Sequence, residues 1–157
     1  DSKMKNILTL FCLTSLIFLS SCGYKVLNNI NNTNFEIVEI DVKGNDKINN
    51  KLKKFFLRYK DKENPSRLFD IQLDSFFTKK VTSKNSAGED VSFSMKIIVE
   101  VDIIENNRII KSNTFEKNTN YNNLDSKFEL KQYEDVLIIN LVDEIIVEIN
   151  SFLGTIK

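Results

Sequence analysis

The stretch RLFDIQLDSFFTKKVTSKNSAGEDVSFSMKIIVEVDII, residues 67–104, decides the fold. Across Arg67–Ser83, Phe69, Ile71, Leu73, Phe77 and Val81 fall on alternate positions, with Ser75 and Lys79 in the same set. Asp70, Gln72, Asp74, Thr78 and Lys80 occupy the other set. A period of two places one set on each face of a half-buried strand. Val91–Ile104 repeats the pattern through Val91, Phe93, Met95, Ile97, Val99, Val101 and Ile103. Between them, residues 84–90 (KNSAGED) carry turn chemistry. Two long strands with matching alternation across a short loop predict an antiparallel hairpin.

Working outward, Glu105-Asn106-Asn107-Arg108 supplies a second turn, because Asn tolerates positive φ. Arg108–Thr119 is then a more polar strand near a sheet edge, where its Lys and Glu residues discourage further pairing. Upstream, Phe35–Val42 alternates apolar and acidic residues and reads as a first strand. Gly44-Asn45-Asp46 breaks it, and Asp46 is the predicted helix cap. Ile48, Leu52, Phe55, Phe56 and Tyr59 recur at helical spacing, and the segment 61–66 with the only proline, Pro65, ends that helix. Downstream, residues 121–127 form a polar connector. Phe128–Phe152 is a long helix with a stripe of Tyr133, Leu137, Leu141, Ile145, Ile149 and Phe152, widened by Ile138, Val142, Ile146 and Leu153. The order β-α-β-β-β-α predicts an α+β fold, with two helices packed on one face of a four-stranded mixed sheet. A single domain over residues 35–157 is expected, without internal repeats.

Lys plus Arg is 22 and Asp plus Glu is 22, so there is no global field to attract nucleic acid. Histidine is absent, which removes the commonest general base and metal ligand. Asp70 and Asp74 share a strand face with Gln72, and paired carboxylates can do acid–base work when a pocket separates their pKa values. Here they come with no nucleophile motif or Gly-rich loop, and alternating Asp on a strand is more often a wet face. Catalysis, a metal site and a cofactor are therefore not expected.

The first residues carry a different signal. Asp1–Lys3 precede Met4, the expected start. Lys3 and Lys5 are followed by the apolar run Ile7–Leu19, which as a helix spans about 20 Å, short of a hydrocarbon core of about 30 Å. It fits a secretory signal peptide, residues 1–21, better than a membrane span. Leu19-Ser20-Ser21-Cys22 then resembles the bacterial lipobox, which implies diacylglyceryl transfer to the Cys22 thiol, cleavage before it and acylation of the new amine. Several acyl chains hold a protein far more firmly than one. Cys12 would leave with the signal peptide, so no disulfide is expected. By the same resemblance, Gly23 in place of Asp favours the outer membrane. Residues 22–34, ending in NNINNTN, read as the lipidated Cys and a polar tether.

The start Cys22-Gly23-Tyr24 with Leu27, the hairpin spacing from Lys84-Asn85 to Phe93-Ser94-Met95, and Glu134-Asp135 opening the final helix together resemble the LptE family of lipopolysaccharide-assembly lipoproteins. The resemblance covers nearly the whole mature chain. It implies a plug inside an LptD-like outer-membrane β-barrel, held at the periplasmic face by acyl chains, that assists barrel assembly and lipopolysaccharide delivery. It also implies lipopolysaccharide contacts through basic residues: Lys84 at the hairpin loop and Lys131 before Glu134-Asp135, with Lys79 and Lys80 adding charge. Against this stands the ordinary fate of a surface lysine, which is simply solvated. The alternative reading is a lipid-anchored adaptor or scaffold of another envelope complex, without lipopolysaccharide binding.

Overall fold

A computed structural model of the protein describes residues 34–156. The expected signal peptide, Cys22 and all of the tether but Asn34 lie outside the described residues. The chain runs β1 (Phe35–Gly44), α1 (Asp46–Phe56), a 3-10 turn (Leu57–Tyr59), β2 (Arg67–Lys84), β3 (Asp90–Glu105), β4 (Arg108–Asn122) and α2 (Lys127–Leu153). The sheet order is β1-β2-β3-β4. β1 pairs parallel with β2, while β2–β3 and β3–β4 are antiparallel. The sheet is therefore mixed, and α1 provides the crossover that a parallel pair requires. Among the described residues, no helix is long and apolar enough to cross a membrane.

The predicted hairpin forms, and its register sets the two apolar sets side by side. Ile71 faces Ile103, Leu73 faces Val101 and Phe77 faces Ile97. In the central strand β3, Met95, Ile97, Val99, Val101 and Ile103 are fully covered. They meet Leu52 and Phe56 of α1 and Leu141, Val142 and Ile145 of α2 in one core. The hairpin outruns that cover: Val81 and Val91, on the inward set, are exposed. The second turn places Asn106 at φ 51° and Asn107 at φ 62°, as a two-residue hairpin loop requires.

β1 contains a register shift between Ile37 and Glu39. Val38 is the extra residue, which lets Ile37 and Ile40 both serve the core despite their odd spacing.

Several expectations need correction. Asn45, not Asp46, caps α1; its Oδ1 accepts from the backbone N–H of Lys47 at 3.1 Å and Ile48 at 3.2 Å. Asn45 is still extended (φ −78°, ψ 118°), whereas Asp46 is already helical and complements the helix N-terminus as a charge. α1 stops at Phe56, and Tyr59 is buried from the 3-10 turn instead. β4 continues to Asn122 because Tyr121 packs its ring against Phe93, centroids 5.5 Å apart. The buried line of α2 is Ile138, Leu141, Val142, Ile145, Ile149 and Leu153, with Tyr133 exposed and Leu137 and Phe152 half-buried. Leu141, Ile145 and Ile149 of the predicted stripe are thus buried, and the helix is turned toward the widening residues Ile138, Val142 and Leu153.

The serine in β2's apolar set has a structural task. Ser75 Oγ accepts from the Asn45 backbone N–H at 2.9 Å and donates to Asn49 Oδ1 at 2.7 Å. Asn49 Nδ2 in turn donates to the Lys43 carbonyl at 3.1 Å. Both side chains are buried, and the knot satisfies the polar groups where β1 turns into α1. Gly44 makes that turn at φ +99°, and a Cβ there would stand 1.9 Å from the Ser75 carbonyl oxygen. Gly88 in the β2–β3 loop also has positive φ (+82°), but a Cβ there meets nothing. Both Gly→Ala variants incur conformational strain of about 1–3 kcal/mol, and only Gly44→Ala adds a backbone clash. Urea unfolding is expected to show Gly44→Ala as the less stable of the two by more than about 1 kcal/mol. Equal losses would mean that the close approach at Ser75 does not constrain the fold.

Candidate functional site

The candidate lysines lie toward the free end of the β2–β3 hairpin and the start of α2. Adjacent strand residues point to opposite faces, so Lys79 and Lys80 part company at once. Lys79 turns to the helix side. Its Nζ lies 4.0 Å from the centroid of the Phe93 ring and 2.5 Å from Glu134 Oε1. Tyr121 Oη donates to the same Glu134 oxygen at 2.8 Å. Glu134 thus joins β2 and β4 to α2 under the hairpin, in a network closed by the Phe93 and Tyr121 rings. Burial first, and then the hydrogen bond and charge of Glu134, push the Tyr121 phenol well above its ordinary value of 10.0.

Lys80 lies on the opposite, exposed face of the sheet. Lys84 is exposed at the end of β2, with its Nζ 3.3 Å from Asp90 Oδ1. Lys131 is exposed on the first turns of α2. Two of the four lysines are therefore paired within the fold, Lys79 with Glu134 and Lys84 with Asp90, and all four keep surface open to solvent. Sequence spacing gives no sign that Glu134, Tyr121 and Phe93 gather around Lys79. Glu134 stands out in the sequence only as part of the Glu134-Asp135 pair, which says nothing of a lysine on β2.

The hairpin loop is ordered by Asn85, whose Oδ1 accepts from the backbone N–H of Ala87 at 3.0 Å and Glu89 at 2.9 Å. Between this loop and the start of α2 runs an open groove of about 640 Å³. Val91, Phe93 and Leu130 form its apolar side, and Glu89, Asp90, Asp125 and Lys127 its charged side. Asp70, Gln72 and Asp74 lie on the sheet face away from both helices, where Asp74 faces Glu100 across the ladder. Among the described residues, no three His, Cys, Asp or Glu side chains converge as a metal site would need.

Comparison with solved structures places this architecture. A minor lipoprotein from Acinetobacter baumannii superposes with a TM-score of 0.56 at 12% identity, covering 75% of this chain and 90% of its own. An uncharacterized lipoprotein B from Nitrosomonas europaea also gives 0.56, at 15% identity, covering 78% and 89%. This chain shares their fold. A rare lipoprotein B from Shewanella oneidensis aligns over 73% of this chain and 96% of its own, with a TM-score of 0.49 and 12% identity. No family model matches the chain. No curated protein matches it by sequence.

Two pH dependences follow from the titratable contacts. Burial also raises the Tyr59 phenol above 10.0. A phenol held protonated in the folded state contributes stability that is complete below the ordinary value and is lost as pH climbs above it. Glu105 behaves oppositely: the Arg67 guanidinium, bonded at 2.8 Å through both Nε and Nη2, lowers its carboxyl below the ordinary 4.5. That contribution is present above 4.5 and is lost as pH falls. Denaturation midpoints are expected to decline above pH 10, and less steeply in Tyr121→Phe. An unaltered alkaline slope in that variant would remove Tyr121 from the account.

Proposed function

We propose that the protein is a lipid-anchored envelope lipoprotein of LptE type. It plugs an LptD-like outer-membrane β-barrel from the periplasmic side, assists its assembly and helps deliver lipopolysaccharide to the outer leaflet. The observation that carries this reading is the fold shared with two solved bacterial lipoproteins, on a chain whose Leu19-Ser20-Ser21-Cys22 follows an apolar run. The role is structural rather than catalytic. Acyl chains on Cys22 hold the domain at the membrane, and residues 23–34 let it enter the barrel lumen. A mixed-charge surface with net charge near zero suits a polar wall, as at the rim of other protein interfaces.

Lipid A phosphates are the chemistry that the hairpin cations would meet. Lys80, Lys84 and Lys131 are the contacts proposed, and Lys79 acts behind them by fixing the hairpin against α2. The triple variant Lys80→Glu/Lys84→Glu/Lys131→Glu is expected to bind lipopolysaccharide at least tenfold more weakly, with an unchanged melting temperature. Unchanged binding would favour the alternative, an envelope adaptor or scaffold that does not touch lipopolysaccharide. In parallel, Cys22→Ala is expected to leave the outer-membrane fraction on a density gradient. Retention there would remove the acyl anchor.

A further inference from the structure

The tether enters the domain at a definite pole. Asn34 is held at the start of β2, where its carbonyl accepts from the Ser66 backbone N–H at 2.8 Å and from Ser66 Oγ at 2.5 Å. Phe35 stacks on Tyr59 with centroids 5.6 Å apart, which brings the 3-10 turn to the same pole. The β3–β4 turn closes here as well, tied to the start of β2 by the Arg67–Glu105 pair. The hairpin loop lies at the other end of β2, whose 18 residues span roughly 60 Å.

This tether pole carries an apolar patch that the core does not use. Ile104 pairs with both Asp70 and Ile109, so it sits between β2 and β4 on the face away from the helices. Leu68, one step back along that face of β2, is 54% exposed, and Ile109 is 60% exposed. Ile110 beside it is exposed too. Arg108 is exposed next to this patch, while Glu39, Asp41 and Asp70 line the shallow groove beside Ile104. Single exposed apolar residues are ordinary. A group of them beside Arg108, at the end where an acylated chain would enter, has the chemistry of an interfacial membrane contact. The chain between Cys22 and Asn34 reaches at most about 40 Å when fully extended. The pole must therefore stay near the leaflet that holds the acyl chains, whereas the hairpin loop need not.

We infer that, in the absence of a barrel, the domain stands on the lipid leaflet on this pole, with Leu68, Ile104, Ile109 and Ile110 seated among the headgroups. The inference rests on the acylation of Cys22. The chain contains no tryptophan, so a single introduced one reports its own surroundings. Ile109→Trp tests the tether pole. Phe128→Trp tests the opposite pole, where Phe128 is 71% exposed.

The full-length lipoprotein variants would be reconstituted into phosphatidylethanolamine/phosphatidylglycerol vesicles with brominated acyl chains. Flotation and the mass of the N-terminal peptide would be read alongside Trp quenching. The expected result is flotation, an acylated Cys22, and quenching of Ile109→Trp at least threefold stronger than of Phe128→Trp. Flotation with neither position quenched overturns the contact but leaves the anchor. Equal quenching at both poles, or stronger quenching at Phe128→Trp, overturns the orientation. An unacylated Cys22 overturns the anchor reading and this inference with it.

Discussion

The pairing of β2 with β3 is the constraint from which the rest of the structure follows. Its period-two pattern puts Phe69, Ile71 and Leu73 of β2 and Met95, Ile97, Val99, Val101 and Ile103 of β3 on one side. A slip of one residue would send the whole set to water. Because that side is apolar along most of its length, both helices must lie on it, and the other side is left open. Burying side chains of this size contributes about 1.5–3 kcal/mol each, so the two-layer arrangement outweighs any local preference of the helices.

The same pairing separates two ends of the molecule along one long axis. Gly44 and the Ser75–Asn49 knot end β1 opposite Ser75, while β2 runs on to Lys84. The upper part of the hairpin therefore projects beyond β1 and is steadied from below by Glu134 of α2. Tether and apolar patch share one pole, and the hairpin cations and the mixed groove share the other. The proposed plug would use such polarity, with one end answering to the acyl anchor and the other reaching into the barrel.

The hairpin, the Asn-Asn turn and the element order were legible in the sequence because each is written in local spacing. The rotation of α2 was not, because Tyr133, Leu137, Ile138, Val142 and Ile146 offer apolar groups around much of the helix. Only contact with the sheet selects the buried line through Ile138, Val142 and Ile145. Val38 was hidden for a related reason, since a bulge shows itself only once a partner strand sets the register. Asn45 and Asp46 are both good caps, and the backbone angle at each decides between them. At the candidate site, Lys80, Lys84 and Lys131 could be named as surface cations, but the engagement of Lys79 could not. Its partner Glu134 is remote in sequence, and no spacing rule joins a strand lysine to a helix glutamate across a fold.

The central claim is that this domain works inside a barrel, and the most direct measurement is its partner. The tagged full-length protein would be purified from detergent-solubilised outer membranes, and co-purifying proteins identified and quantified by mass spectrometry. The account predicts a large outer-membrane β-barrel recovered at one-to-one stoichiometry. Recovery of the protein alone, or with a complex that contains no barrel, would contradict it.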